Sequence, residues 1–154
     1  MIVILHNIRS LHNVGSIFRT ADAVGVEEIY LCGITPAPVD SFGKLRPQLA
    51  KVSLGAEKTV EWERAKLTSR LVDRLKKNGY KIFAVEQNRK SIPYHKVRVR
   101  PKDKVALVLG SEVKGLPPSV LKKADKIIEI PMAGRKESLN VAVAFGIVVF
   151  RLLH

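Results

Sequence analysis

Lys104-Val105-Ala106-Leu107-Val108-Leu109 runs directly into Gly110-Ser111-Glu112-Val113-Lys114-Gly115-Leu116. The first block ends in an unbroken apolar run, the pattern of a strand covered on both faces and so of a parallel sheet between helices. The second block breaks into glycine and small polar residues, as a loop leaving the end of that strand does. The same transition recurs at Lys126–Ile130, a second strand, which gives way through Pro131-Met132 to a glycine-bearing loop ending in Ser138-Leu139-Asn140. Two strand ends this close in the chain can build one pocket from exposed backbone groups, the usual place of a ligand in α/β proteins.

Outward from these blocks, strands and helices alternate. Met1–Ile8 reads as a strand, Val14–Val24 as a helix ended by Gly25, and Glu28–Cys32 as a short strand. Thr35 to Pro47, with three prolines and Gly43, is a loop long enough to suspect of function. Lys66–Asn78 has the period of an amphipathic helix with Leu67, Leu71, Val72 and Leu75 inward and Gly79 as its cap. Tyr80–Glu86 is a strand, and Asn88 to Lys102 an exposed connection in which Val97 and Val99 alternate with Arg98 and Arg100. Pro117-Pro118 opens a short helix. With no repeat, low-complexity segment or linker, residues 1–154 are expected to form one domain, an α/β fold with a covered parallel sheet.

Leu139 to Leu153 is the most apolar stretch, too short to span a bilayer and interrupted by Asn140 and Arg151. As a helix it is apolar on nearly every side and must be buried all round. A second copy of the chain is the simplest cover, so a homodimer is expected. The chain opens on a strand-like run rather than a basic leader, which predicts a cytoplasmic protein. Cys32 lies in an apolar run and is expected to be a buried structural thiol. The four histidines are scattered, so no metal site is expected.

Charge points to the partner. The 27 Lys and Arg against 14 Asp and Glu leave a net charge of +13, an excess suited to a polyanion, with nucleic acid ahead of an anionic membrane. Lys66, Arg70, Arg74 and Lys77 fall on one side of their helix, opposite its leucines. Arg89, Lys90, Arg98, Arg100, Lys102 and Lys104 form a second group, and Lys44 and Arg46 lie in the long loop. Such side chains hold phosphates without reading sequence. Aromatic residues are only 6% of the chain, so no dedicated stacking platform is evident, and nucleic-acid shape and a flipped-out nucleotide are the expected basis of target choice. A phosphate-binding P-loop is excluded, because Gly115 is followed by Leu116 and Pro117 in place of Lys and Ser or Thr. No Gly-x-Gly-x-x-Gly follows the first strand, which removes the dinucleotide-binding reading too.

The remaining pattern resembles the SpoU (TrmH-type) RNA 2′-O-ribose methyltransferases of the SPOUT superfamily. Asn13, Gly15, Arg19 and Thr20 match the first family motif; Gly110, Glu112, Gly115 and Leu116 match the second; Ile130, Pro131, Met132, Ser138, Leu139 and Asn140 match the third. Order and spacing agree along essentially the whole chain. Ser111 and Ala142 depart from the residues common at their positions, which bears on substrate subtype.

The resemblance implies a C-terminal deep trefoil knot, S-adenosylmethionine bound within it, an obligate homodimer and an RNA substrate rather than DNA, with tRNA ahead of rRNA. Val85, Leu109, Gly110, Ile130, Met132, Ser138 and Leu139 are then the candidate cofactor contacts, with Gly110 admitting the ligand to the main chain. Arg19, Asn13, Glu112, Ser138 and Asn140 are the candidate catalytic group. Arg19 is expected to hold a phosphate and orient the 2′-hydroxyl; a permanently protonated guanidinium suits positioning and charge stabilisation better than proton abstraction. Asn13 is expected to bond Arg19 or the RNA, or to cap the first helix. Glu112 is read as orienting Arg19 or a loop backbone, and Asn140 as holding substrate or capping the last helix. No metal is required, since the sulfonium is itself the electrophile. Two other readings stay open: an RNA-binding protein of this fold without transfer activity, and a SPOUT enzyme that methylates a base nitrogen.

Overall fold

The computed structural model describes residues 1–154. Seven strands, β1 (Ile2–His6), β2 (Glu28–Cys32), β3 (Glu61–Ala65), β4 (Lys81–Val85), β5 (Ile92–Pro93), β6 (Val105–Leu109) and β7 (Lys126–Glu129), form one sheet in the order β3-β2-β1-β6-β4-β7-β5. Every pairing is parallel. The helices are α1 (Leu11–Val24), α2 (Pro47–Ser53), α3 (Ala56–Thr59), α4 (Thr68–Lys77), α5 (Pro118–Leu121) and α6 (Val141–Leu153).

All five residues of β6 are buried, as its apolar run requires of a strand between β1 and β4. Its side chains alternate between two cores. Val105, Leu107 and Leu109 join Val14, Ile17 and Phe18 of α1 and Phe145, Val148 and Val149 of α6. Ala106 and Val108 join Leu71, Val72 and Leu75 of α4 and Val120 of α5. Helices thus cover both faces. Because the strands are parallel, the segments that follow β1, β2, β4, β6 and β7 all leave from one edge of the sheet.

Several expectations change in detail. Helix α1 starts at Leu11, and the N-cap role weighed for Asn13 belongs to Ser10, whose hydroxyl accepts the Asn13 N–H at 3.2 Å. Leu67 precedes α4 as its N-cap residue and is 47% exposed, so it is not part of the inward face. Asn78, rather than Gly79, is that helix's C-cap. The long loop ends in α2, and α3 and β3 follow before α4. Strand β3 carries no apolar alternation because it is a largely exposed edge paired only with β2. The connection Asn88–Lys102 contains β5 and a 3-10 turn at Tyr94–Lys96 and buries Val97.

Helix α6 is not buried all round by its own chain: Phe145, Val148, Val149 and Leu152 face inward, while Val143 and Phe150 are about half exposed. It is too short to cross a membrane, and no other helix is long and apolar enough to do so. Cys32 is fully buried, and burial pushes its thiol up to about 11.

Candidate active site

A cavity of about 740 Å³ lies at the C-terminal ends of β4, β6 and β7. Val85, Leu109, Gly110, Ile130, Met132, Ser138 and Leu139, the seven candidate cofactor contacts, all line it. Glu112 and Asn140 line it as well, whereas Asn13 and Arg19 do not.

The wall is held by close backbone contacts. A Cβ on Gly110 would collide with the Gly115 carbonyl carbon and the Leu116 nitrogen, so the close approach that requires this glycine is between two parts of the loop itself. Gly115 takes a left-handed φ of +62°, and a side chain there would strike the Glu86 carboxylate. Glu86 accepts the Leu116 N–H at 2.9 Å and the Gln87 N–H at 3.0 Å. The Gln87 side-chain amide in turn donates to the Glu137 carbonyl at 2.6 Å, tying the end of β4 to the loop that precedes α6. Glu86 and Gln87 line the cavity and were not singled out from the sequence; the available signal was a carboxylate closing an otherwise apolar strand.

Residues 130–139 form no backbone–backbone hydrogen bonds. In this loop, N–H and C=O groups unpaired along the cavity are suited to reading the edge of a planar heterocycle, while Val85, Leu109, Ile130, Met132 and Leu139 supply apolar surface for its faces. Such a lining fits a nucleoside-bearing ligand.

Beside the cavity, three sequence blocks meet in one polar chain. Glu112 accepts the Asn13 side-chain amide at 3.0 Å and the backbone N–H groups of Arg9 and Ser10 at 3.2 and 3.4 Å. Asn13 Oδ1 accepts the Asn140 amide at 3.0 Å, and Asn140 Oδ1 caps α6 by accepting the N–H groups of Ala142 and Val143 at 2.9 and 3.4 Å. For Glu112, partial burial raises the pKa, but the hydrogen bonds it receives outweigh burial and hold its carboxyl below the ordinary glutamate value. Of the two roles weighed for Glu112, it fills the second and holds loop backbone. Asn13 bonds Glu112 and Asn140 rather than Arg19.

Arg19 lies on α1 with its side chain exposed and no ion-pair partner. Its neighbour Thr20 faces Gly146 of α6. Among the basic groups, Lys66, Arg70, Arg74 and Lys77 are exposed, as are Arg89, Lys90, Arg98, Arg100, Lys102 and Lys104. Arg74 lies over the Tyr30 ring and Lys104 over the Tyr80 ring, while Arg100 pairs with Asp103. Lys44 is exposed and Arg46 half-buried.

A profile of the SpoU rRNA methylase family matches residues 1–150. The chain belongs to that family. Over 149 residues it is 33% identical to the 23S rRNA (guanosine-2′-O-)-methyltransferase RlmB of Neisseria meningitidis serogroup B, covering 97% of this chain and 56% of that protein. An AdoMet-bound rRNA methyltransferase from Sinorhizobium meliloti superposes with a TM-score of 0.86 at 31% identity, covering 97% of this chain and 54% of that one. A protein solved for structural insights into the 2-OH methylation of C/U34 on tRNA superposes with a TM-score of 0.80 at 27% identity, covering 97% of this chain and 91% of that one. The chain spans somewhat more than half the length of the curated relatives it matches. The matched residues span the three sequence blocks around Asn13, Gly110 and Ile130.

Proposed function

We propose that this SpoU-family chain is an S-adenosylmethionine-dependent methyltransferase acting on a ribose 2′-hydroxyl of RNA, with tRNA ahead of rRNA. The observation that carries the reading is the meeting of Asn13, Glu112 and Asn140, far apart in sequence, in one hydrogen-bonded chain on the rim of a cavity lined by all seven candidate cofactor contacts. The AdoMet bound by the Sinorhizobium relative supports the cofactor, and the RlmB relative supports the 2′-hydroxyl. Support for tRNA comes from the C/U34 relative, which this chain covers over 91% of its length.

Val85, Leu109, Ile130, Met132 and Leu139 would hold the adenosine portion, with Ser138 and the unpaired loop backbone reading its polar edge. Bound there, S-adenosylmethionine supplies a methyl group already activated as a sulfonium. The chain's own residues do the rest. Glu112 fixes the start of α1 by its grip on Arg9, Ser10 and Asn13. Helix α1 carries Arg19, whose guanidinium is free to take an RNA phosphate through paired hydrogen bonds and hold the neighbouring 2′-hydroxyl in line for attack. Charge build-up at the phosphate and the attacking oxygen would be countered there by the guanidinium.

We also read the ties among the 86–88, 110–116 and 131–140 segments as parts of a C-terminal trefoil knot. A homodimer is the natural cover for Val143 and Phe150 of α6, and a cytoplasmic enzyme would meet both RNA and cofactor. The exposed basic groups would make RNA affinity fall steeply with salt, by about a thousandfold or more between 50 and 200 mM if six or more phosphates are engaged; filter binding across that range checks it. The reaction itself is tested by transfer of labelled methyl from S-adenosylmethionine to unfractionated tRNA and, separately, to rRNA, followed by nuclease digestion. A 2′-O-methylnucleoside from tRNA is the expected product. A methylated base, or cofactor binding with no transfer to either RNA, would overturn the reading in favour of the base-nitrogen or non-catalytic alternative.

A further inference from the structure

The segment between β2 and α2 is built as a finger. Val39 pairs with Leu45 in an antiparallel bridge, the Arg46 N–H donates to the Pro38 carbonyl at 2.8 Å, and the Asp40 N–H donates to the Lys44 carbonyl at 2.8 Å. The tip is closed by the Asp40 carboxylate, which accepts the N–H groups of Phe42 and Lys44, each at 2.9 Å. Gly43 supplies the positive φ, +76°, that the turn requires. All this bonding holds Phe42 away from the protein: its side chain is 93% exposed, more than any other large hydrophobic residue of the chain.

Two groups on this finger lack the partners such groups normally have. A benzyl ring left in water forfeits the stabilisation that burial would give it. At the base of the finger, the Arg46 Nε is buried and has no hydrogen-bond acceptor, a state that buried guanidinium nitrogens rarely keep. Lys44 stands exposed between them. An exposed aromatic face beside a free cation on one short hairpin is what a single-stranded nucleic acid recognises: a base to stack and a phosphate to pair.

The finger is also at the right edge of the sheet. It follows β2, whose last residue Cys32 lies opposite His6 at the end of β1, and β1 leads into Arg9 and Ser10, which Glu112 holds. The finger ends in α2, whose Leu49 carbonyl packs over Gly15 of α1, one helical turn before Arg19. We infer that Pro38–Arg46 is an RNA-contacting finger in which Phe42 stacks on an unpaired base while Lys44 holds an adjoining phosphate. This rests on the proposed RNA methyltransferase activity and adds to it a substrate-binding element outside the three family motifs. One stacking side chain is enough where charge supplies most of the affinity. RNA is favoured over a protein partner because Phe42 is flanked at the tip by Ser41, Gly43 and Lys44, and Leu45 is the one other exposed large hydrophobic residue of the finger.

The test compares Phe42→Ala, Phe42→Leu and Phe42→Tyr in the full chain, with unfractionated tRNA as the probe for binding and for steady-state transfer. Ala and Leu should both weaken tRNA binding by roughly 5- to 150-fold and raise the KM for RNA with kcat unchanged, whereas Tyr should stay near the parent. S-adenosylmethionine affinity should be the same in all. In a Trp62→Phe background, Phe42→Trp should show indole fluorescence quenched on addition of tRNA. Leu behaving like the parent, or Ala leaving tRNA affinity unchanged while altering sedimentation, would overturn the finger and reassign Phe42 to apolar or self contacts. If the parent transfers methyl to RNA and Ala does so with unchanged KM, the finger alone fails. If the parent binds neither RNA nor S-adenosylmethionine, the functional reading fails and the finger with it.

Discussion

Asn13, at the centre of the Glu112–Asn13–Asn140 chain, and Arg19 lie on the same helix less than two turns apart, yet their surroundings are opposites. In the first, polar groups bind one another: Glu112 accepts three hydrogen bonds, Asn13 both donates and accepts, and Asn140 joins Asn13 to the cap of α6. Arg19 has an exposed guanidinium with no ion-pair partner. Groups that set geometry are partnered inside the protein, and the group assigned to meet the substrate is left free for it. Preorganisation of this kind places the cost of ordering in folding rather than in the reaction.

The largest effect should come from the free side. Arg19→Ala is expected to lower single-turnover methyl transfer by about a hundredfold or more, while S-adenosylmethionine affinity and the melting temperature stay those of the parent. Loss of cofactor binding in that variant would mean that Arg19 belongs to the fixed part after all. Gly110→Ala attacks the fixed side. Its Cβ has no room against Gly115 and Leu116, so the loop must shift at a cost of about 1–3 kcal/mol in urea unfolding, with weaker cofactor binding in dialysis. Full retention of both would show that the loop is softer than its contacts imply.

Glu112→Gln should give the smallest effect, and it is one of pH. Hydrogen bonds hold the folded Glu112 carboxyl below its ordinary value of 4.5, so the stability it contributes is complete above that value and is lost as the pH falls through the lower folded one. The Gln variant should therefore be slightly less stable than the parent at neutral pH and converge with it in acid. A constant gap across the acid range, followed by thermal unfolding, would contradict that assignment.

Much of this was legible in the sequence because burial and ligand contact both leave patterns. The β6 run Val105–Leu109 and the leucine period of α4 marked the covered parallel sheet, and the family resemblance marked seven residues that line the cavity. Strand β3, Glu61-Trp62-Glu63-Arg64-Ala65, was not legible: an exposed edge needs no apolar alternation, and its pairing with β2 is a backbone matter. The short α2 and α3 were not legible, because the two residues that each buries set too little period. The partners of Asn13 were also hidden, since residues 99 and 127 positions away are brought to it only by the fold. Gly110 was expected to admit the ligand to the main chain; the close approach that the structure shows at it is with its own loop.

We expect the loops after β4, β6 and β7 to form a cofactor pocket independent of RNA. Calorimetric titration of S-adenosylmethionine into the RNA-free protein tests it most directly. Saturable binding at one site per chain, kept in Arg19→Ala and lost or much weakened in Gly110→Ala, is the predicted result. No binding to the parent protein, or binding that Arg19→Ala abolishes and Gly110→Ala leaves untouched, would contradict it.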